Sequence, residues 1–191
     1  MAYKLRPEEH ELRKARETVE KVFESCKYSL EKNKVLEVSL GASPSETSDE
    51  HGARGFAVNS EASQMYFIPE VENWEDDLEV VARKVYGKSY FYEKTDASGL
   101  LWREFLAESF ALMFLEQTSE GREVENVQEF GDEWDDKKDF LGQMLSVEIE
   151  ENFSWQIKWL VGKKLLENHE LEEFTELKKS DIEGAGEEVF K

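Results

Sequence analysis

Glu104 and Glu108 are the residues of this chain best placed to do chemistry. They sit four apart within Leu100–Leu115, a stretch apolar almost all round, so on a helix they share one face, one turn apart. A carboxylate there must find a partner or give up its charge. The chemistry such a pair offers is metal ligation, with a distant histidine such as His51 as a further ligand. The other histidines, His10 and His169, share no spacing with it, and all three read as structural or solvated. Cys26 is alone, which excludes an intrachain disulfide and a multi-cysteine metal site. No glycine-rich phosphate loop follows a strand, and no Gly-x-Ser-x-Gly elbow is present. The acidic run Gly131-Asp132-Glu133-Trp134-Asp135-Asp136 has the wrong spacing for a calcium loop and reads as a solvated charge run.

The elements that must position Glu104 and Glu108 can be read from periodicity. Two central helices are expected, one from an Asn73 cap with Glu75, Asp76 and Asp77 in its first turn, the other over 100–117, joined by a turn at Thr95–Gly99. The first carries an apolar stripe of Leu78, Val81, Ala82, Val85 and Tyr86, with Arg83 and Gly87 on roughly the opposite side. Upstream, an N-terminal helix buries Leu12, Ala15, Val19, Val22, Phe23, Cys26 and Leu30 down to about Lys32. Val35–Leu40 alternates like a half-buried strand, Gly41–Gly55 reads as a loop, and Gly55–Val58 with Gln64–Ile68 reads as a hairpin stopped by Pro69. Downstream, Thr118–Asp139 is expected as a polar surface loop feeding a helix near Trp134–Val147. Phe153–Leu166 is expected as an amphipathic helix, and a capping box at Ser180–Glu183 starts a short last one. The expected organisation is one domain over 1–191: an N-terminal helix (1–33), the sheet and central helices (34–117) and a helical C-terminal part (118–191).

The net charge of −20 argues against an ordinary nucleic-acid or anionic-membrane surface, which needs clustered Lys and Arg. A DNA mimic is conceivable, but an acidic surface is far more often a solubilising one. The first thirty or so residues lack the apolar core of a secretory signal, and no stretch reads as transmembrane, so the expected location is cytoplasmic.

Gly52–Gly55 with Phe56-Ala57-Val58, then Met65–Pro69, the helix from Asn73, Glu104-Phe105-Leu106-Ala107-Glu108 and finally Glu176–Ile182 together resemble one known family. It is the predicted zinc-dependent proteases of the zincin clan, a small family of unknown biological role. Its members have a Gly-Gly-Tyr/Phe hairpin, an H-E-x-x-H helix and an E-G-L-A-E motif. The resemblance covers roughly residues 35–185, mostly through order and spacing. It implies an α+β, zincin-like fold with a small, mostly antiparallel sheet packed on the two central helices.

In that family the H-E-x-x-H helix supplies two histidine ligands and a base, and the first Glu of the later motif supplies the third ligand. Aligned on Val80-Val81-Ala82, those five positions are Arg83, Lys84, Val85, Tyr86 and Gly87 here, so both histidines and the base are missing. Of the ligand set Glu104 alone keeps its residue type. The former metal-site positions are thus Arg83, Lys84, Gly87 and Glu104, with Glu108, Tyr86 and Phe105 as site-lining residues. Arg83, or Lys84 on a rotated helix, is expected to supply the positive charge that Glu104 has lost.

The reading that follows is a pseudo-peptidase: no catalytic residues, no metal, no cofactor, and a peptide or protein as partner. The strand before the metal helix, Met65, Tyr66, Phe67 and Ile68, is expected to be the sheet edge on which a peptide pairs. One rival is a divergent metallopeptidase with ligands from Glu104, Glu108 and His51. The other is a structural or assembly protein.

Overall fold

The computed structural model describes residues 9–43, 52–95, 99–118, 130–143 and 153–191. The fold is α+β, and the chain divides into two compact units, Met1–Glu93 and Lys94–Lys191.

In the first unit, α1 (Glu9–Lys27) buries Ala15, Val19, Val22 and Cys26, spaced three and four apart as one helical face requires. Three strands follow: β1 (Glu37–Ala42), β2 (Ala53–Ala57) and β3 (Ala62–Phe67). The β2–β3 turn is closed by Asn59, whose Oδ1 accepts from the amides of Glu61 (2.8 Å) and Ala62 (2.9 Å). Helix α2 (Trp74–Lys94) begins after Asn73, which holds φ 63°, a left-handed conformation that asparagine tolerates better than most residues.

The strand order is β1-β3-β2, with β1 parallel and β2 antiparallel to β3. Two expectations are corrected here. The sheet is mixed, because the strand at 37–42 joins β3 in parallel. Met65, Tyr66, Phe67 and Ile68 do not form a sheet edge: β3 has a strand on each side, and the Ile68 amide donates to the Gly52 carbonyl at 2.8 Å. Central placement matches side-chain burial, since Met65 and Phe67 are fully enclosed.

One face of the sheet carries α2. Phe67 stacks on Trp74 with ring centroids 4.7 Å apart. A Cβ at Gly52 would come within 2.6 Å of the Trp74 Cα, and one at Gly55 within 2.8 Å of Val81 Cγ1. The two glycines of the hairpin motif are therefore what lets β2 lie directly on α2. Helix α1 runs alongside α2 in the same direction. Contacts advance together along both, from Lys14–Glu75 (2.9 Å) through Lys21–Glu79 (3.7 Å) to the Tyr86 hydroxyl, which donates to the Leu30 carbonyl (2.9 Å).

The second unit is helical. Helix α3 (Leu101–Thr118) buries Leu101, Phe105–Ala107 and the run Ser109–Leu115, as its lack of a polar face requires. It is followed by α4 (Gly131–Lys137), a 3₁₀ turn (Lys138–Gly142), α5 (Trp155–Leu166), a second 3₁₀ turn (Leu171–Thr175) and α6 (Lys179–Phe190). Trp134 thus lies in α4 rather than opening a helix, and the rest of the expected span to Val147 falls outside the described residues beyond 143. The cap of α6 is also displaced from Ser180: Asp181 Oδ2 accepts from the Lys178 amide at 2.6 Å. Trp134 is enclosed by Phe105, Phe153 and Phe190, at centroid distances of 6.4, 5.6 and 5.7 Å. Gly162 on α5 lets that helix approach Met113 on α3. Among the described residues no helix is long and apolar enough to cross a membrane.

Candidate functional site

The former metal-site positions divide between the units, with Arg83, Lys84 and Gly87 on α2 and Glu104 on α3. On α2 the Arg83 side chain turns to α1. Arg83 Nη1 donates to Ser25 Oγ at 3.5 Å, the long limit of a hydrogen bond. Its guanidinium is therefore directed at α1, and its charge is felt at Cys26 next to Ser25. Burial nevertheless pushes the Cys26 thiol up to about 11, overcoming the lowering effect of Arg83.

Tyr86, expected to line a site, is instead a bolt between helices. Its ring meets Phe23 edge-on at 5.3 Å, and burial pushes its phenol up to about 12, which keeps the hydroxyl a donor to Leu30. Gly87 is buried and Lys84 half-buried. A helix face turned onto a neighbouring helix is filled by packing, which explains why Tyr86 does structural work.

Lower on the same unit lies a polar constellation that periodicity did not reveal. Lys32 and Glu93 form a 3.5 Å ion pair whose side chains are only 4% and 5% exposed. Glu93 also accepts from the Asn33 amide (2.9 Å), the Asn33 side chain (3.1 Å) and the Lys34 amide (3.1 Å), while Lys32 Nζ donates to the Ser60 carbonyl (2.8 Å). Burial alone would raise the Glu93 carboxyl. The two backbone amides, the Lys32 charge and the Asn33 side chain outweigh it and hold the group below its ordinary range. Burial likewise lowers Lys32, opposed by Glu93. These bonds fasten the α1–β1 connection to the end of α2.

On α3, Glu104 is half-buried in the first turn, where the helix dipole favours a carboxylate. Phe105 does not line a site. It is fully buried in the aromatic cluster, perpendicular to Phe153 at 5.0 Å. Glu108 finds a partner on α5, the ammonium of Lys158, whose residue is 5% exposed. The signal for that pair was available: Lys158 interrupts Ile157–Val161, a run with no polar face, as Glu108 interrupts α3. Lys163 and Glu116 make a second bond between the same helices at 2.9 Å.

Among the described residues no group of three or more His, Cys, Asp or Glu side chains is arranged to hold a metal ion, and His51 lies outside them. His169 pairs with Glu173 at 3.7 Å, a neighbour four residues on.

The sheet face turned away from α2 is a different kind of surface. Residues paired across strands share a face, which places Glu37, Ser39 and Gly41 beside Ala62, Gln64 and Tyr66, and these beside Val58, Phe56 and Arg54. Phe56 is 50% exposed and Val58 53%, and Val35, just before β1, is 81% exposed. Arg54 lies 5.7 Å from the centre of the Tyr66 ring and donates to Ser43 Oγ at 3.1 Å. Phe56 and Val58 are placed together on this face, and exposed apolar side chains gathered on one face mark an interaction surface more often than scattered ones do.

Compared with known proteins, the chain matches no family model, no curated protein and no solved structure.

Proposed function

We propose that this chain is a non-catalytic interaction module, a degenerate relative of the zinc-dependent proteases it resembles, that binds a peptide or protein through the open face of its sheet. The observation that carries the reading is the use of the α2 positions. Where that family has its first histidine ligand, Arg83 is bonded to Ser25 on α1, and Tyr86, between the two former ligand positions, donates to the Leu30 carbonyl. Arginine keeps its proton and has no lone pair to offer a cation. Lys84, in the place of the base, is a donor. Glu108 is held by Lys158, which competes with any metal for its carboxylate.

Binding in this reading does not use β3 as an edge. It uses the apolar and aromatic side chains of the opposite sheet face, around Phe56, Val58 and Tyr66. The test is elemental analysis after dialysis into metal-free, chelator-free buffer, with a peptide-library cleavage assay on the same sample. Expected are substoichiometric zinc and no cleavage. One zinc per chain, or cleavage abolished by a chelator, removes the proposal.

A further inference from the structure

We propose that the open sheet face recognises a second copy of this chain, packed face to face with the strands of the two sheets crossed near a right angle. The inference rests on the interaction-module reading above and names the partner of that surface.

The nine positions form three rows of three. Glu37, Ala62 and Val58 make the first row; Ser39, Gln64 and Phe56 the second; Gly41, Tyr66 and Arg54 the third. Glu37 and Arg54 therefore stand at diagonally opposite corners, with Gln64 between them. Two such faces can meet through a two-fold axis lying in the interface along the other diagonal, from Gly41 to Val58. That operation brings Arg54 of each copy onto Glu37 of the other. It sets Phe56 against Ala62 and Tyr66 against Ser39, a large side chain over a small one each time, and Val58 against Val58. Because the axis is diagonal, the strands of one sheet cross those of the other, which is the orthogonal class of sheet packing. An isologous contact needs this property, that residue i meets residue j and j meets i.

Charge selects the same face. A chain with net charge −20 repels its own copy over most of its surface. These nine positions carry one arginine and one glutamate, so the face is locally neutral, and Glu61 at its rim is already paired with Lys34 at 2.9 Å. Strand and residue spacings make the grid only about 10 by 14 Å. That is smaller than the roughly 800 Å² per partner of a stable interface, so the dimer is weak, with a Kd of about 10–500 µM.

The experiment is sedimentation equilibrium on the full chain, up to about 1 mM, far enough above that Kd to populate a dimer. Wild type is expected to populate a dimer. Arg54→Glu places Glu against Glu and Glu37→Arg places Arg against Arg, so each variant alone loses at least about tenfold in self-association, and Phe56→Ser does the same. An equimolar mixture of Arg54→Glu with Glu37→Arg restores opposite charges at both contacts and is expected to form a heterodimer. The mixture reports on its own folding, and thermal melts check Phe56→Ser. A monomeric wild type, variants that associate like wild type, or a mixture no better than its components each overturn the proposal. The zinc and cleavage assays are independent of this result, so a monomeric chain without zinc removes the second-copy inference while leaving the non-catalytic reading standing.

Discussion

Lys158 on α5 is bonded to Glu108 on α3, and the lysine is the more deeply enclosed of the two, its side chain 6% exposed against 30% for the glutamate. That inequality fixes which member is the more dangerous to lose. Glu108→Leu leaves an ammonium buried without its counter-charge, for which about 3–5 kcal/mol is the usual range. Lys158→Met leaves a carboxylate that still reaches water and is expected to cost about half as much. The double variant should recover much of the loss in urea unfolding. Equal single effects, or strict additivity, would mean that the pair is not coupled.

Two glycines on α6 should respond in opposite directions to alanine. Gly184 has nothing within 4 Å of an added Cβ, so Gly184→Ala gains helix propensity, about 0.5–1 kcal/mol. At Gly186 the same atom would sit 2.0 Å from Trp134 Cζ2, inside a ring held by Phe105, Phe153 and Phe190. Gly186→Ala is expected to destabilise by about 1–3 kcal/mol despite the better propensity. Thermal melts of the two variants, moving apart from wild type, would bear this out; a shared upward shift would contradict the packing of α6 on α4.

On α2 the effects should rank Tyr86 above Arg83. Tyr86→Phe strands the buried Leu30 carbonyl, at about 1–3 kcal/mol, whereas Arg83→Met gives up one long bond at the surface, within about 0.5 kcal/mol. Cys26 supplies a local readout. It is 1% exposed, with its thiol pushed up to about 11, so it labels only when α1 lifts. Alkylation should speed up clearly in Tyr86→Phe and little in Arg83→Met. The reverse order would show that α2 is rotated relative to the face described.

Glu93 gives the first unit an acid-sensitive fastening. Its folded-state carboxyl lies below the ordinary 4.5, so its contribution is fully present above about pH 4.5 and is lost as pH falls through the lower folded value. The amides of Asn33 and Lys34 donate directly to it, and their hydrogen exchange should lose protection in that window. Glu93→Gln should lower stability at neutral pH by about 1.5–3 kcal/mol, the scale of bonds to a charged group, and remove this acid step. Protection of those two amides that is unchanged between pH 7 and 3 would count against it.

Periodicity alone located the three long helices, because Ala15–Val19–Val22–Cys26, Leu78–Ala82–Val85 and the nearly all-apolar 100–115 repeat at helical spacing. The hairpin was legible for a local reason as well, since Asn59 closes the turn with its own side chain. Composition also made plain that Glu104 and Glu108 needed partners. Which groups answered was not a local matter. That β1 joins β3 in parallel depends on where the chain returns after β2, so the strand expected as an edge became the centre. That Arg83 and Tyr86 face α1 depends on α1 lying alongside α2. That Glu108 is neutralised by a lysine fifty residues away depends on α5 running along α3. Local sequence sets the period of each element and the burial its side chains demand. Only long-range packing chooses the neighbour that meets that demand, because apolar faces fit many partners and a buried charge accepts whichever opposite charge the packing brings within reach.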